Sequence, residues 1–136
     1  MIIIVDSDGL IGTSHINDKH YSKATKLLQN LTDHGAELIY PATVISEATA
    51  VLQIRLNTPE TADAIMEYTK AGLFNIEAVN NEVLISAISF LDKNRSKHAT
   101  LFDGVVAAIA QKYKADAIFS FDKFYKTKGF KLASEL

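Results

Sequence analysis

Cysteine is absent from the 136 residues. Disulfides, thiol catalysis and zinc–thiolate sites are therefore excluded, and the absence suits a cytosolic protein. No apolar run approaches the ~20 residues that a membrane-spanning helix needs. The N-terminal MIIIVDSD has no basic segment and meets an acid at once, so it reads as a first strand and not as a signal peptide. Repeats, linkers and low-complexity stretches are missing too. The four histidines, His15, His20, His34 and His98, show no metal-ligand spacing. Each reads as a lone surface side chain. What remains has the length of one domain, residues 1–136, with 48% hydrophobic residues, enough for a single core.

The net charge of -2 conceals an asymmetry. Residues 1–92 hold 5 Lys/Arg and 12 Asp/Glu, a balance of -7, whereas residues 93–136 hold 9 and 4, a balance of +5. The basic residues form two short groups, KNRSKH at 93–98 and KFYKTKGFK at 123–131. Each borders an acid of interest, Asp103 or Asp122. A solvated helix end and a polar loop account for such groups. So does a surface that holds a phosphate backbone.

The pattern alternates strands and helices. IIIV at 2–5 reads as a strand, followed by a short helix near 9–15 and a stronger one from Asp18 to His34. In the latter, Ala24, Leu27, Leu28 and Leu31 make a helical stripe, and Gly35 ends it as a C-cap glycine would. ELIY at 37–40 is the second strand, closed by Pro41. Val44 to Leu56 reads as a helix with Val44, Ala48, Val51, Leu52 and Arg55 along one side. Thr58-Pro59-Glu60 supplies an N-cap, a first-turn proline and an acid for another helix, running to Ala71. LFNIEAV at 73–79 is a third strand and Asn81 to Asp92 a helix. Thr100 to Tyr113 is a helix whose VVAAIA segment is apolar nearly all round, which places it against the sheet. AIFSF at 117–121 is a fourth strand, and GFKLA at 129–133 a short fifth. The alternation predicts an α/β fold of three layers, α/β/α, with a mostly parallel central sheet of four or five strands.

Four acids fall where such a fold gathers side chains at one sheet edge: Asp6 in IIIVDSD, Glu47 in VISEATAVL, Asp103 in TLFDGVV and Asp122 in IFSFDKF. Each has a structural explanation. Asp103 completes a T-x-x-D capping box with Thr100. Asp122 suits a turn cap, and Glu47 suits the first half of its helix. Yet Glu47 sits among Val44, Ile45, Ala48 and Val51, a costly setting for an unpaired carboxylate. Asp6 ends a strand expected to be central. Crowded carboxylates raise each other's pKa, and a divalent cation with oxygen ligands relieves the repulsion. The chemistry expected is metal-assisted attack on a phosphate.

The order IIIVDSDGLI, ATVISEATAVL, LFDGVVAAIAQKYKADAIFSFDKFYKTKGFKL resembles the PIN-domain ribonucleases, including VapC-type toxins. The resemblance covers nearly the whole chain, and its C-terminal third is the most specific part. It implies that Asp6, Glu47, Asp103 and Asp122 bind one or two Mg²⁺ or Mn²⁺ ions, that Ser120 orients a water or a phosphate, and that Phe124 is the aromatic after the last acid. It also implies an RNA substrate, an antitoxin partner if the chain is a toxin, and a homodimer. Asp8 departs from the pattern, since relatives often carry an uncharged polar residue there. It reads as an extra ligand, a group behind the ligands, or the N-cap of the first helix, the cap being favoured. Tyr113 and Tyr125 read as packing groups.

Two other readings stand beside this one. VDSDGLIG approaches the D-x-D-G-[TV] signature of haloacid-dehalogenase-type phosphohydrolases, with Asp6 as nucleophile and Asp8 as general acid. That reading leaves Glu47 and Asp103 without roles, lacks a late acidic pair and has Leu10 where Thr or Val is usual. The other is a PIN-like module that binds RNA or protein without catalysis, against which the four acids count. A receiver domain is disfavoured, because the late strand ends in Asp instead of Lys.

Overall fold

A computed structural model describes residues 1–136. Ile2–Val5 forms β1, Glu37–Pro41 β2, Ile76–Glu77 β3 and Ala117–Phe119 β4. The sheet order is β3-β2-β1-β4, and every pair is parallel. The helices are α1 (Ser7–Ser14), α2 (Tyr21–Asp33), α3 (Ala42–Ala50), α4 (Pro59–Lys70), α5 (Asn81–Ile88), α6 (Leu101–Tyr113) and α7 (Phe124–Thr127).

The central strands form because their residues are apolar and are covered on both faces. Ile3, Ile4 and Val5 of β1 and Ala117, Ile118 and Phe119 of β4 are all buried, as parallel strands flanked by helices must be. Helix α6 is buried from Asp103 through Ala110. It lies against β1 and β2 and touches α3 and α5, which is why its sequence is apolar nearly all round. Gly104 lets α5 come close. A Cβ there would lie 2.5 Å from the Ala87 carbonyl oxygen.

The chain leaves β1 toward β2 on one side and returns to β4 on the other. The direction of winding therefore reverses between β1 and β4. In open parallel sheets the crevice outside the carboxyl ends of the strands at such a reversal is where ligands bind. Asp6 directly follows β1, and Ser120 directly follows β4.

Several boundaries differ from those the sequence predicts. The expected fifth strand is reduced to one parallel bridge, Leu132 to Ile118. The third strand shrinks to two residues, because Phe74 turns to pack on Tyr40 and Tyr68 and Pro41 has no N–H to donate to it. The helix expected over Val44 to Leu56 starts at Ala42, and its last turn widens into a π-turn at Val51–Arg55. Val44, Ala48 and Leu52 form its buried stripe, while Arg55 is exposed. Helix α5 stops at Ile88, short of the expected Asp92. No helix is long and apolar enough to cross a membrane.

Candidate active site

Three acid-bearing helices pack on one another at the carboxyl end of the sheet, α1 on α3 and α3 on α6. Asp6 is the N-cap of α1. Its Oδ1 accepts from the Ser7 N–H at 2.7 Å and its Oδ2 from the Ser120 hydroxyl at 2.9 Å. Asp103 stands in the first turn of α6. One of its oxygens accepts from the Thr100 N–H at 2.9 Å, so the capping role is real. The other oxygen lies 3.5 Å from the Tyr125 hydroxyl, the outer limit for a hydrogen bond. Cap and site membership are thus compatible, each using a different oxygen.

Ser120 organises the exit from β4. Its hydroxyl reaches Asp6 at 2.9 Å and Asp8 at 3.2 Å, and accepts from the Asp122 N–H at 3.0 Å. A serine has one proton to give, so it serves one of the two carboxylates fully at a time. Asp122 is exposed. Its carboxylate accepts from the Phe124 N–H at 2.9 Å, which makes the turn into α7. Glu47 is half-buried on α3.

Asp8 is not the cap of α1, as the sequence suggested. The helix begins one residue after β1, so Asp6 takes the cap position and Asp8 falls in the first turn. There its Oδ2 accepts from the Phe121 N–H at 2.9 Å as well as from Ser120. Its Oδ1 is buried with no hydrogen-bond partner. Asp8 therefore joins the cluster as a fifth acid. Gly9, next along, allows α1 to sit this close to β4. A Cβ there would lie 2.5 Å from the Phe119 carbonyl oxygen.

The electrostatics follow from burial without counter-charge. None of the four salt bridges in the protein involves Asp6, Asp8, Glu47, Asp103 or Asp122. Burial pushes the Asp6 carboxyl well above the usual range, and the charges of Asp8 and Asp103 push it further. Asp8 is raised by burial and by Asp122, against the hydrogen bonds from Phe121 and Ser120. Glu47 is raised by burial, then by Asp103 and Asp8, with a hydrogen bond from Ser7 working the other way. Asp103 is raised by burial and by Asp122. The acids are thus linked in pairs, with Asp8 and Asp103 acting on both Asp6 and Glu47, and Asp122 acting on Asp8 and Asp103.

Donor chemistry fits a hard divalent cation, since every candidate ligand is a carboxylate and one buried carboxylate oxygen is orphaned. Distance does not yet fit. No three Asp, Glu or His side chains stand close enough to clasp one ion. Shared ligation by three of them requires side-chain rotation toward a common point.

Two neighbours are not evident from the sequence. Tyr125 is fully buried. It packs, as expected, but its hydroxyl faces Asp103 and Asp6, and burial and their charges raise its own pKa. Only its position one residue past Phe124 hints at this. His20 is no isolated surface group either: its ring stacks on Phe121, with centroids 4.0 Å apart and planes 10° apart.

Comparison with known proteins gives the same picture of the fold. The toxin VapC20 of Mycobacterium tuberculosis, described as cleaving the sarcin–ricin loop, superposes with a TM-score of 0.79 at 17% identity, covering 94% of this chain and 95% of its own. FitAcB from Neisseria gonorrhoeae superposes with a TM-score of 0.69 at 15% identity, covering 98% and 99%. No curated protein matches significantly by sequence. The family model of the PIN domain matches residues 3–131. That match sets aside the phosphohydrolase suggested by VDSDGLIG. The chain belongs to the PIN-domain family.

Proposed function

We propose that this protein is a Mg²⁺- or Mn²⁺-dependent endoribonuclease and the toxin of a toxin–antitoxin pair. One observation carries the reading: Asp6, Asp8, Glu47, Asp103 and Asp122 are linked by repulsive charge interactions, with no Lys or Arg paired to any of them. Such a cluster is unfavourable for the fold and suits a cation-binding role.

Asp6, Glu47, Asp103 and Asp122 would hold the metal. A divalent ion held there, once side-chain rotation brought the carboxylates together, would supply a water of lowered pKa and neutralise charge on the phosphoryl oxygens. The protein's own part is positioning. Ser120 holds Asp6 and Asp8 at the exit of β4 and would orient a water or a phosphate oxygen. Asp8 shares the Ser120 hydroxyl with Asp6, so the single proton of that serine couples the two carboxylates. The Tyr125 hydroxyl faces the second oxygen of Asp103 at 3.5 Å. Burial keeps bulk water from Asp6, which strengthens every charge interaction there.

VapC20, similar in fold, is described as acting on the sarcin–ricin loop, so a structured RNA hairpin is the first substrate to try. An antitoxin would be the protein partner, a homodimer the assembly and the cytoplasm the location. The test is twofold. Purified protein should cut the hairpin internally with Mn²⁺ and stop on addition of EDTA. Mn²⁺ should also raise the melting temperature, because binding to the folded state stabilises it. Release of phosphate from small monoesters, with no RNA cleavage, would defeat the proposal.

A further inference from the structure

The two basic groups that the sequence keeps apart meet in the fold. A cleft of about 310 Å³ separates the 92–99 segment from α7, lined among others by Asp92, Arg95, His98, Asp122, Phe124 and Lys128. Lys128 ties the walls together. Its amino group lies 2.8 Å from the Asp92 carboxylate and 5.5 Å over the Phe124 ring, and its side chain is only 16% exposed. Arg95 donates to the Asp92 carbonyl at 3.0 Å, which sets the start of the loop. With Asp92 neutralised by Lys128, Arg95 is the lining cation left without an ion pair, and Lys93, Lys97 and Lys123, outside the lining on the two flanking segments, are unpaired as well. All four are exposed.

Asp122 links this cleft to the acid cluster. It lines the cleft, and its charge also acts on Asp8 and Asp103. A strand whose scissile phosphate reached the acids would lay its neighbouring phosphates along the cleft. We infer that the cleft between the 92–99 segment and α7 is a subsite for the RNA phosphate backbone, with Arg95 of its lining as the principal cation and Lys97, exposed on the same segment outside the lining, as the next along the strand. The inference rests on the nuclease reading above. Its lining is mainly charged and polar, which favours backbone contacts that position the strand over contacts that read bases. Lys128, held by Asp92 and Phe124, shapes the cleft.

The experiment is a salt series of binding to a fluorescein-labelled RNA hairpin, followed by anisotropy in EDTA so that nothing is cut. The variant is Arg95→Gln with Lys97→Gln, two exposed changes whose folding is checked by thermal melting. Lys70→Gln, at the end of the helix leading to the opposite edge strand, is the control. The double variant should bind more weakly, and the slope of log affinity against log salt should shrink by about 0.7 for each phosphate that is no longer neutralised. The control should match wild type. Unchanged affinity and slope in the double variant would overturn the subsite, and if Mn²⁺-dependent cleavage persisted the nuclease reading would survive alone. Salt-dependent binding that the double variant weakens, with no cleavage by wild type, would keep the subsite and remove the nuclease. Competition by polyglutamate as effective as by unlabelled RNA would reassign the cleft to an acidic protein segment.

Discussion

Asp6 has both oxygens engaged, one by the Ser7 N–H and one by the Ser120 hydroxyl, and still holds a proton more readily than an ordinary aspartate. Asp6→Asn keeps the shape and removes the charge. The Asn amide would donate to Ser120 Oγ, which would then turn its own proton to Asp8. On the proposed reading the variant loses RNA cleavage by about 10²-fold or more. Its melting temperature in EDTA equals or exceeds that of wild type, and its gain from Mn²⁺ shrinks. A linked pH dependence follows. Asp6, Asp8, Glu47 and Asp103 are all raised, so between their ordinary and raised values the folded state binds more protons than the unfolded one. Stability from these groups is therefore lost as pH rises. In EDTA, the melting temperature of Asp6→Asn relative to wild type should climb from pH 4 to pH 8. A flat difference would show that Asp6 carries no such penalty. Asp8→Asn is the second residue-scale test. Its buried, unpartnered oxygen gives it more than a structural place in the first turn of α1, and its loss should weaken Mn²⁺ binding or activity by about 10–100-fold, as for groups that orient metal ligands. Calorimetric titration with Mn²⁺ measures this directly, and an affinity equal to wild type would return Asp8 to a purely structural role.

Helix α1 is the element on which the site depends, because it starts one residue after β1 and carries Asp6 and Asp8 into the crevice. Its seat is set by Gly9. A methyl group there would lie 2.5 Å from the Phe119 carbonyl and 2.6 Å from a Phe119 ring carbon. Gly9→Ala must therefore shift α1 away from β4, at a cost of about 1–3 kcal/mol, the range for overpacking. It should also stretch the Ser120 hydrogen bonds to both acids. Chemical denaturation measures the first effect, and loss of the Mn²⁺-induced gain in melting temperature measures the second. A fully stable Gly9→Ala with an unchanged Mn²⁺ response would contradict the close seat. Element positions are largely legible in the sequence where apolar pattern decides them: IIIV, AIF and the all-round apolar α6 need no tertiary information. The role of Asp8 is not, because it turns on a two-residue difference in where α1 begins, and sequence boundaries are not that sharp. The third and fifth strands are overestimated from sequence for a different reason. Both lie at the sheet edges, where Phe74 packs on Tyr40 and Tyr68 and Phe130 on Phe90, and side-chain packing there replaces ladder pairing.

Across the whole molecule, charge and topology point to the same edge. The reversal of winding between β1 and β4 creates the crevice, Asp6 and Ser120 follow its two strands, and Asp122 joins the acids to the cleft between the basic segments. The four acids can be named from the sequence because strand ends and helix starts are predictable from pattern. Their mutual distances cannot, since those depend on rotamers, and in the structure no three of them stand close enough to share an ion. The union of the two basic groups across one cleft is equally invisible, because it follows from the Lys128–Asp92 pair, which joins segments far apart in the chain. The central claim is that these carboxylates form a metal-dependent nuclease centre. It is tested most directly by mapping cleavage of an end-labelled RNA hairpin by wild type and Asp6→Asn, with Mn²⁺ and with EDTA. The account predicts internal cuts by wild type in Mn²⁺ alone, and none above background from Asp6→Asn or in EDTA. Internal cuts that persist in EDTA, or that Asp6→Asn makes as fast as wild type, would contradict it.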